Sequence, residues 1–221
     1  MTVGREVDLL ARYPKTIRNV NSRVEAKTYQ DREIARKFGK EFFDGNRRYG
    51  YGGYSYNPKF WSKVVVDIQS FYGLDRESKI LDVGCAKGFM LHDFVQLIPG
   101  IHVRGIDVSE YAISETLSSV APFCSVADAR SLPFEDDSFD LVISINTLHN
   151  LDLDDFKIAL KEVQRVSRKH SFITVDSWRS AEEREAMLAW NLTAKTMMST
   201  TDWTSTFEEV GYEGDFYWFV P

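Results

Sequence analysis

Ile80-Leu81-Asp82-Val83-Gly84-Cys85-Ala86-Lys87-Gly88-Phe89-Met90-Leu91 writes a buried strand, a small-residue turn and the start of a helix in one run. Ile80, Leu81 and Val83 supply the apolar strand, and Phe89, Met90 and Leu91 open an apolar helix face. Between them Gly84, Ala86 and Gly88 let the backbone pass close to a ligand. In an open α/β sheet such a turn lies at the carboxyl end of a strand, where ligands bind. Two familiar glycine loops do not fit. Counting from Gly84, a dinucleotide fingerprint needs glycine third and sixth, and Ala86 and Phe89 stand there. The P-loop pattern G-x-x-x-x-G-K-[ST] is absent as well.

Downstream, strand and helix patterns alternate, the mark of a parallel sheet covered on both faces. A helix is predicted from about 88 to 98 and a strand over 103–107. Ser109 is a natural N-cap with Glu110 in the first turn. A short strand follows near 123–127, then the nearly continuous apolar run 139–145, as expected of a central strand. A helix over 154–168 places Phe156, Ala159, Leu160, Val163 and Val166 on one face. Strand 171–175, helix 180–194, a helix capped by Asp202 and ended by Gly211, and an aromatic strand within 212–220 complete the pattern.

Upstream, 31–43 reads as one helix, and Asn57-Pro58 opens another that Gly73 ends. Arg47-Arg48-Tyr49-Gly50-Tyr51-Gly52-Gly53-Tyr54-Ser55-Tyr56 is too rich in glycine for a helix and reads as a loop. Residues 1–27 are polar and weakly periodic, a mobile arm or a segment ordered by docking. The expected architecture is a doubly wound, mostly parallel α/β domain over 58–221, a three-layer sandwich. A helical and loop N-terminal extension, 1–57, precedes it.

With 221 residues the chain supports one such domain with decoration. It offers no apolar run of the roughly 20 residues that a spanning helix needs, so no membrane partner is expected. The N-terminus has no signal-peptide pattern, and Cys85 and Cys124 show no metal-ligand spacing, so no metal and a cytoplasmic location are expected. A net charge of −6 argues against a nucleic-acid partner. The charge is uneven: residues 1–57 hold 12 Lys+Arg against 7 Asp+Glu, the remainder 15 against 26. A basic extension on an acidic body suits an anionic small molecule.

Taken with two later signposts, the loop resembles the class I S-adenosylmethionine-dependent methyltransferases. Asp82, Gly84, Ala86 and Gly88 match that family's first motif, D/E-x-G-x-G-x-G, with alanine for the middle glycine. Asp107 fits the acidic residue ending the second strand, and Asp128-Ala129 the acid-plus-small pair after the third. The match runs in order over roughly 75–176. The resemblance implies S-adenosyl-L-methionine as cofactor and S-adenosyl-L-homocysteine as product. It assigns Asp107, beside Val108, to the ribose hydroxyls, Asp128 to the adenine amino group and the Ala129 backbone to the ring. The turn of Asp82, Gly84, Cys85, Ala86 and Gly88 cradles the cofactor, and Asn146 contacts its methionine part.

Methyl transfer from a sulfonium needs alignment above all, and a base only where the acceptor starts protonated. His149, in the turn after the fourth strand, is the candidate base. The resemblance implies that the extension, 1–57, closes over the active site as a lid, so Arg47, Tyr49, Tyr51, Tyr54 and Tyr56, with Asp176 after the fifth strand, are candidates for the acceptor pocket. The expected activity is methylation of an oxygen or nitrogen of a small, anionic metabolite. Two alternatives stand beside it: an RNA or protein methyltransferase using the basic arm, or a non-catalytic cofactor-binding partner subunit. Exposed aromatics in the extension could also form a homodimer contact.

Overall fold

One sheet of seven strands organises the computed structural model of the chain, which describes residues 4–14, 27–52 and 55–220. The strands are β1 (Lys79–Val83), β2 (His102–Asp107), β3 (Cys124–Val126), β4 (Phe139–Ile145), β5 (Ser167–Trp178), β6 (Met198–Ser199) and β7 (Asp215–Phe219). They run in the order β3-β2-β1-β4-β5-β6, with β7 also on β5, and every pairing is parallel. The chain builds outward from β1 to one side and then returns to place β4 on the other. That reversal opens a crevice beyond the carboxyl ends of β1 and β4.

Eight α-helices are described: α1 (Tyr29–Ala35), α2 (Lys40–Phe43), α3 (Pro58–Tyr72), α4 (Phe89–Leu97), α5 (Glu110–Ser114), α6 (Leu153–Val166), α7 (Ala181–Trp190) and α8 (Thr200–Val210). On one sheet face Val64, Val65 and Ile68 of α3 and Leu91 and Phe94 of α4 pack on Ile80, Leu141, Ile143 and Phe172. On the other, Phe156, Leu160 and Val163 of α6 and Trp203 and Phe207 of α8 pack on Leu81, Val83, Val142 and Ile173. Adjacent strand residues thus feed opposite cores, which is why β4 carries no polar alternation. The doubly wound α/β class is borne out.

Several element boundaries differ from the sequence pattern, each for a local reason. The helix read over 31–43 is two helices, because Phe38 adopts φ +48° and Gly39 becomes the N-cap of α2. The helix read over 180–194 ends at Trp190, where the Asn191 amide donates to the Ala194 carbonyl and accepts its N–H. Ser199, not Asp202, caps α8; its hydroxyl accepts from the Asp202 amide and donates to the Asp202 carboxylate. β5 begins at Ser167, directly where α6 stops, because β4 offers pairing partners back to Phe139.

Residues 4–14 dock. Val7 N–H donates to the Phe216 carbonyl and Phe216 N–H to the Arg5 carbonyl, while the Arg5 guanidinium forks Asp215. No helix among the described residues is long and apolar enough to cross a membrane.

At the end of β4 away from the crevice, the Asp140 carboxylate accepts from Lys79 N–H, Arg168 and Lys169. Burial pushes its pKa up, but Lys169, the Lys79 amide and Arg168 outweigh that and hold it at about 2. Asp140→Asn is therefore expected to lower stability at pH 7 by about 2 kcal/mol, at 1.36 kcal/mol per unit. The contribution is present above the unfolded carboxyl's range and is lost as pH falls toward 2. Urea midpoints of the two proteins at pH 7 check it; equal midpoints would refute it.

Candidate functional site

A cavity of about 1910 Å³ lies over the carboxyl ends of β1, β2, β4 and β5, roofed by residues of the extension. Its floor is the turn after β1. Gly84 and Cys85 N–H both donate to the Ile106 carbonyl, and Gly88 N–H donates to the Cys85 carbonyl. Gly84 has φ +88°, and a side chain there would meet the Thr147 hydroxyl at 2.2 Å. Ala86, the departure from the glycine pattern, takes φ +49°. Such a conformation costs a residue with a Cβ roughly 1–2 kcal/mol. The Ala86 amide is held there by the Asp107 carboxylate at 2.9 Å.

Asp107 ends β2 on the cavity wall and also accepts from Ser109 N–H at 2.8 Å. Burial raises its pKa against those amide bonds. Each carboxylate oxygen retains further acceptor capacity toward the cavity, the chemistry a pair of ribose hydroxyls requires. Asp82 lies behind the turn rather than on the cavity wall. Burial, then the Asp107 charge, push its pKa up to about 8. An acid at that value is largely protonated at neutral pH.

Ala127, Asp128, Ala129 and the exposed Val108 form the next stretch of wall. Asp128 is forked by Arg130, whose other nitrogen reaches Asp155 at 2.8 Å. The guanidinium holds the Asp128 carboxyl below the usual range. Arg130 was not singled out from sequence, although an opposite charge two residues from Asp128 is a readable signal. Asn146 sits at φ +51° on the wall, its N–H donating to Thr174 and its side-chain oxygen accepting from the Thr174 hydroxyl.

His149 and Asp176 are brought together from 27 residues apart. Asp176 N–H donates to His149 Nδ1 at 3.1 Å, so the ring proton belongs on Nε2, which faces the Asp176 carboxylate at 3.7 Å. Burial lowers the His149 pKa, outweighing the Asp176 charge, and keeps the ring neutral. With Nδ1 committed to an amide and Nε2 protonated, this imidazole has no free lone pair for an acceptor's proton.

The extension's candidates divide. Tyr51 lines the cavity, accepts from Leu192 N–H at 2.9 Å and stacks on Trp190 at 5.9 Å. Arg48 also lines it but binds Asp31 at 2.6 Å, and Arg36 reaches the Thr193 and Ala194 carbonyls. Arg47 lines the cavity, and among the described residues it has no hydrogen-bond or ion-pair partner. Tyr49 is not on the wall. Tyr56 is also off it, donating instead to Asp93 at 2.5 Å against α4. Tyr54 lies outside the described residues.

Comparison with known proteins agrees with this geometry. Residues 81–175 match the family model described as a methyltransferase domain. The chain is 32% identical over 129 residues to the tRNA (carboxymethyluridine(34)-5-O)-methyltransferase of Arabidopsis thaliana, covering 58% of this chain and 30% of that one. It is 35% identical over 113 residues to the demethylmenaquinone methyltransferase of Staphylococcus aureus, covering 49% and 45%. A SAM-dependent methyltransferase from Aquifex aeolicus superposes with a TM-score of 0.51 over 66% of this chain and 78% of that one, at 18% identity. The chain spans less than two thirds of the length of the curated relatives it matches. It carries a methyltransferase domain of the class I kind, whose cofactor is S-adenosylmethionine.

Proposed function

We propose that the class I methyltransferase domain of this chain transfers a methyl group from S-adenosylmethionine to an oxygen or nitrogen of a small, anionic metabolite. Arg47 carries the reading: a guanidinium with no hydrogen-bond or ion-pair partner among the described residues, on the wall of the cavity that also holds Asp107 and Asp176. Such a group favours a carboxylate or phosphate, which it grips with two parallel hydrogen bonds. Phe42, Tyr51, Trp190 and Trp218 line the same cavity and suit an apolar or planar body.

When bound, S-adenosylmethionine supplies an electrophilic methyl group on a sulfonium whose thioether leaves neutral. The chain's own residues do the placing. Asp107 takes the ribose hydroxyls, the Asp128–Arg130 pair and Ala129 border the adenine, and the Gly84 turn admits the methionine part. The extension closes over the acceptor and excludes water. Free Cys85 and Cys124 suit the reducing cytoplasm.

A screen of hydroxylated and aminated carboxylates and phosphates, read by S-adenosylhomocysteine release, tests the proposal. Arg47→Ala is expected to raise KM for the acceptor at least about 10-fold with a smaller change in kcat, the loss of a charged hydrogen-bond partner. An unchanged KM would remove Arg47 from the site. A second reading, a tRNA acceptor, draws on the Arabidopsis relative and on Lys27, Arg36 and Lys195 along the cavity. Turnover of bulk tRNA, with binding that weakens steeply with salt, would favour it over the metabolite.

A further inference from the structure

The extension does more than roof the acceptor. It grips both loops that hold the cofactor. Asp44, just beyond α2, binds Lys87 of the first loop through both carboxylate oxygens, each 2.6 Å from the ammonium. The Lys87 side chain is only 8% exposed, so its charge is buried, and its partner Asp44 is half-buried at 24%. Tyr111, in the helix after Asp107, donates to the same carboxylate at 2.6 Å. Close by, the Ser109 hydroxyl donates to the Phe38 carbonyl of the extension at 2.5 Å.

Lys87 is not an arbitrary anchor. It stands between Ala86 at φ +49° and Gly88 at φ +74°, so its position sets the turn that aims the Ala86 amide at Asp107. Its own carbonyl accepts from Leu117 N–H at 3.2 Å, fixing the backbone on the far side. Removing Asp44 would weaken the pairing of a buried ammonium, and a shift of the turn that moves Lys87 toward water would relieve that loss.

We infer that Asp44 is a positioning residue for the cofactor loop, so that docking of the extension and binding of S-adenosylmethionine are thermodynamically coupled. This rests on the methyltransferase reading of the site. Coupling is reciprocal: if the docked extension tightens the cofactor, the cofactor must tighten the extension by the same factor. A contact that only stabilises the fold would show neither effect.

The test needs no acceptor. S-adenosylhomocysteine is titrated calorimetrically into wild type, Asp44→Asn and Asp44→Glu, and amide exchange over 27–52 is followed with and without it. Asp44→Asn is expected to weaken binding about 10-fold, within the usual span of coupling factors. Asp44→Glu, which keeps the charge, is expected to recover most of the loss. The ligand is expected to slow exchange of 27–52 in wild type and much less in Asp44→Asn. Should Asp44→Asn release the extension altogether, Tyr111→Phe removes one hydrogen bond to the same carboxylate, and a smaller weakening of the same kind is expected. Wild-type affinity in Asp44→Asn, or exchange of 27–52 indifferent to the ligand, overturns the inference alone. A wild type that binds no S-adenosylhomocysteine overturns the methyltransferase reading and this inference with it.

Discussion

Asp107→Ala is expected to weaken S-adenosylhomocysteine binding by about 3 kcal/mol, roughly 150-fold, while the protein stays folded. Hydrogen bonds to a charged group contribute about 1.5–3 kcal/mol each, and in the proposed site two ribose hydroxyls would converge on one carboxylate. The substitution also removes the acceptor of Ala86 N–H at 2.9 Å and Ser109 N–H at 2.8 Å. Ala86 then has little to hold it at φ +49°, and the turn is free to relax away from the geometry that admits the ligand. Asp107→Asn keeps one oxygen acceptor and the side-chain shape, so its loss should be smaller. Calorimetric titration of the three proteins gives the ordering directly. Binding by Asp107→Ala within threefold of wild type would remove Asp107 from the cofactor site.

That this residue could be chosen from sequence at all reflects how local its signals are. Strand β1, its turn and α4 are contiguous, and each residue type there answers a nearby steric demand. Gly84 has room only for hydrogen beside Thr147, and Ser109 caps the very next helix. β4 was legible because both of its faces are buried, which leaves a nearly unbroken apolar run. The contacts that assemble the acceptor side have no such local trace. Asp44 and Lys87 are 43 residues apart, and Arg36 meets the carbonyl of Thr193 across 157. The tract of Tyr49, Tyr51 and Tyr56 looked uniform in sequence. Packing separates it, sending Tyr51 to the cavity and Tyr56 to Asp93. The break at Phe38 was hidden because a phenylalanine with positive φ has no propensity signature; tertiary contacts impose it.

We propose that the same long-range assembly gives the proton-accepting role to Asp176 rather than His149. His149 was the natural choice from sequence, since an ordinary imidazole accepts a proton near neutral pH. In the fold its Nδ1 is taken by the Asp176 amide at 3.1 Å and its Nε2 lies 3.7 Å from the Asp176 carboxylate, so the ring is a fixed polar neighbour of that anion. For a hydroxyl or protonated amine acceptor, the proton would pass to that carboxylate as the lone pair commits to the methyl carbon. Asp176→Asn, nearly isosteric and unable to accept it, is expected to lower kcat 10²–10⁴-fold, the usual worth of a positioned base. S-adenosylhomocysteine affinity should stay within threefold of wild type. His149→Gln should cost less and shift the acidic limb of the kcat–pH profile, because it alters the environment of the base and not the base itself. Near wild-type kcat in Asp176→Asn would mean that the acceptor arrives already deprotonated, as a carboxylate does, and that alignment alone carries the reaction. A parallel loss of cofactor affinity would instead make Asp176 a structural support of the cavity.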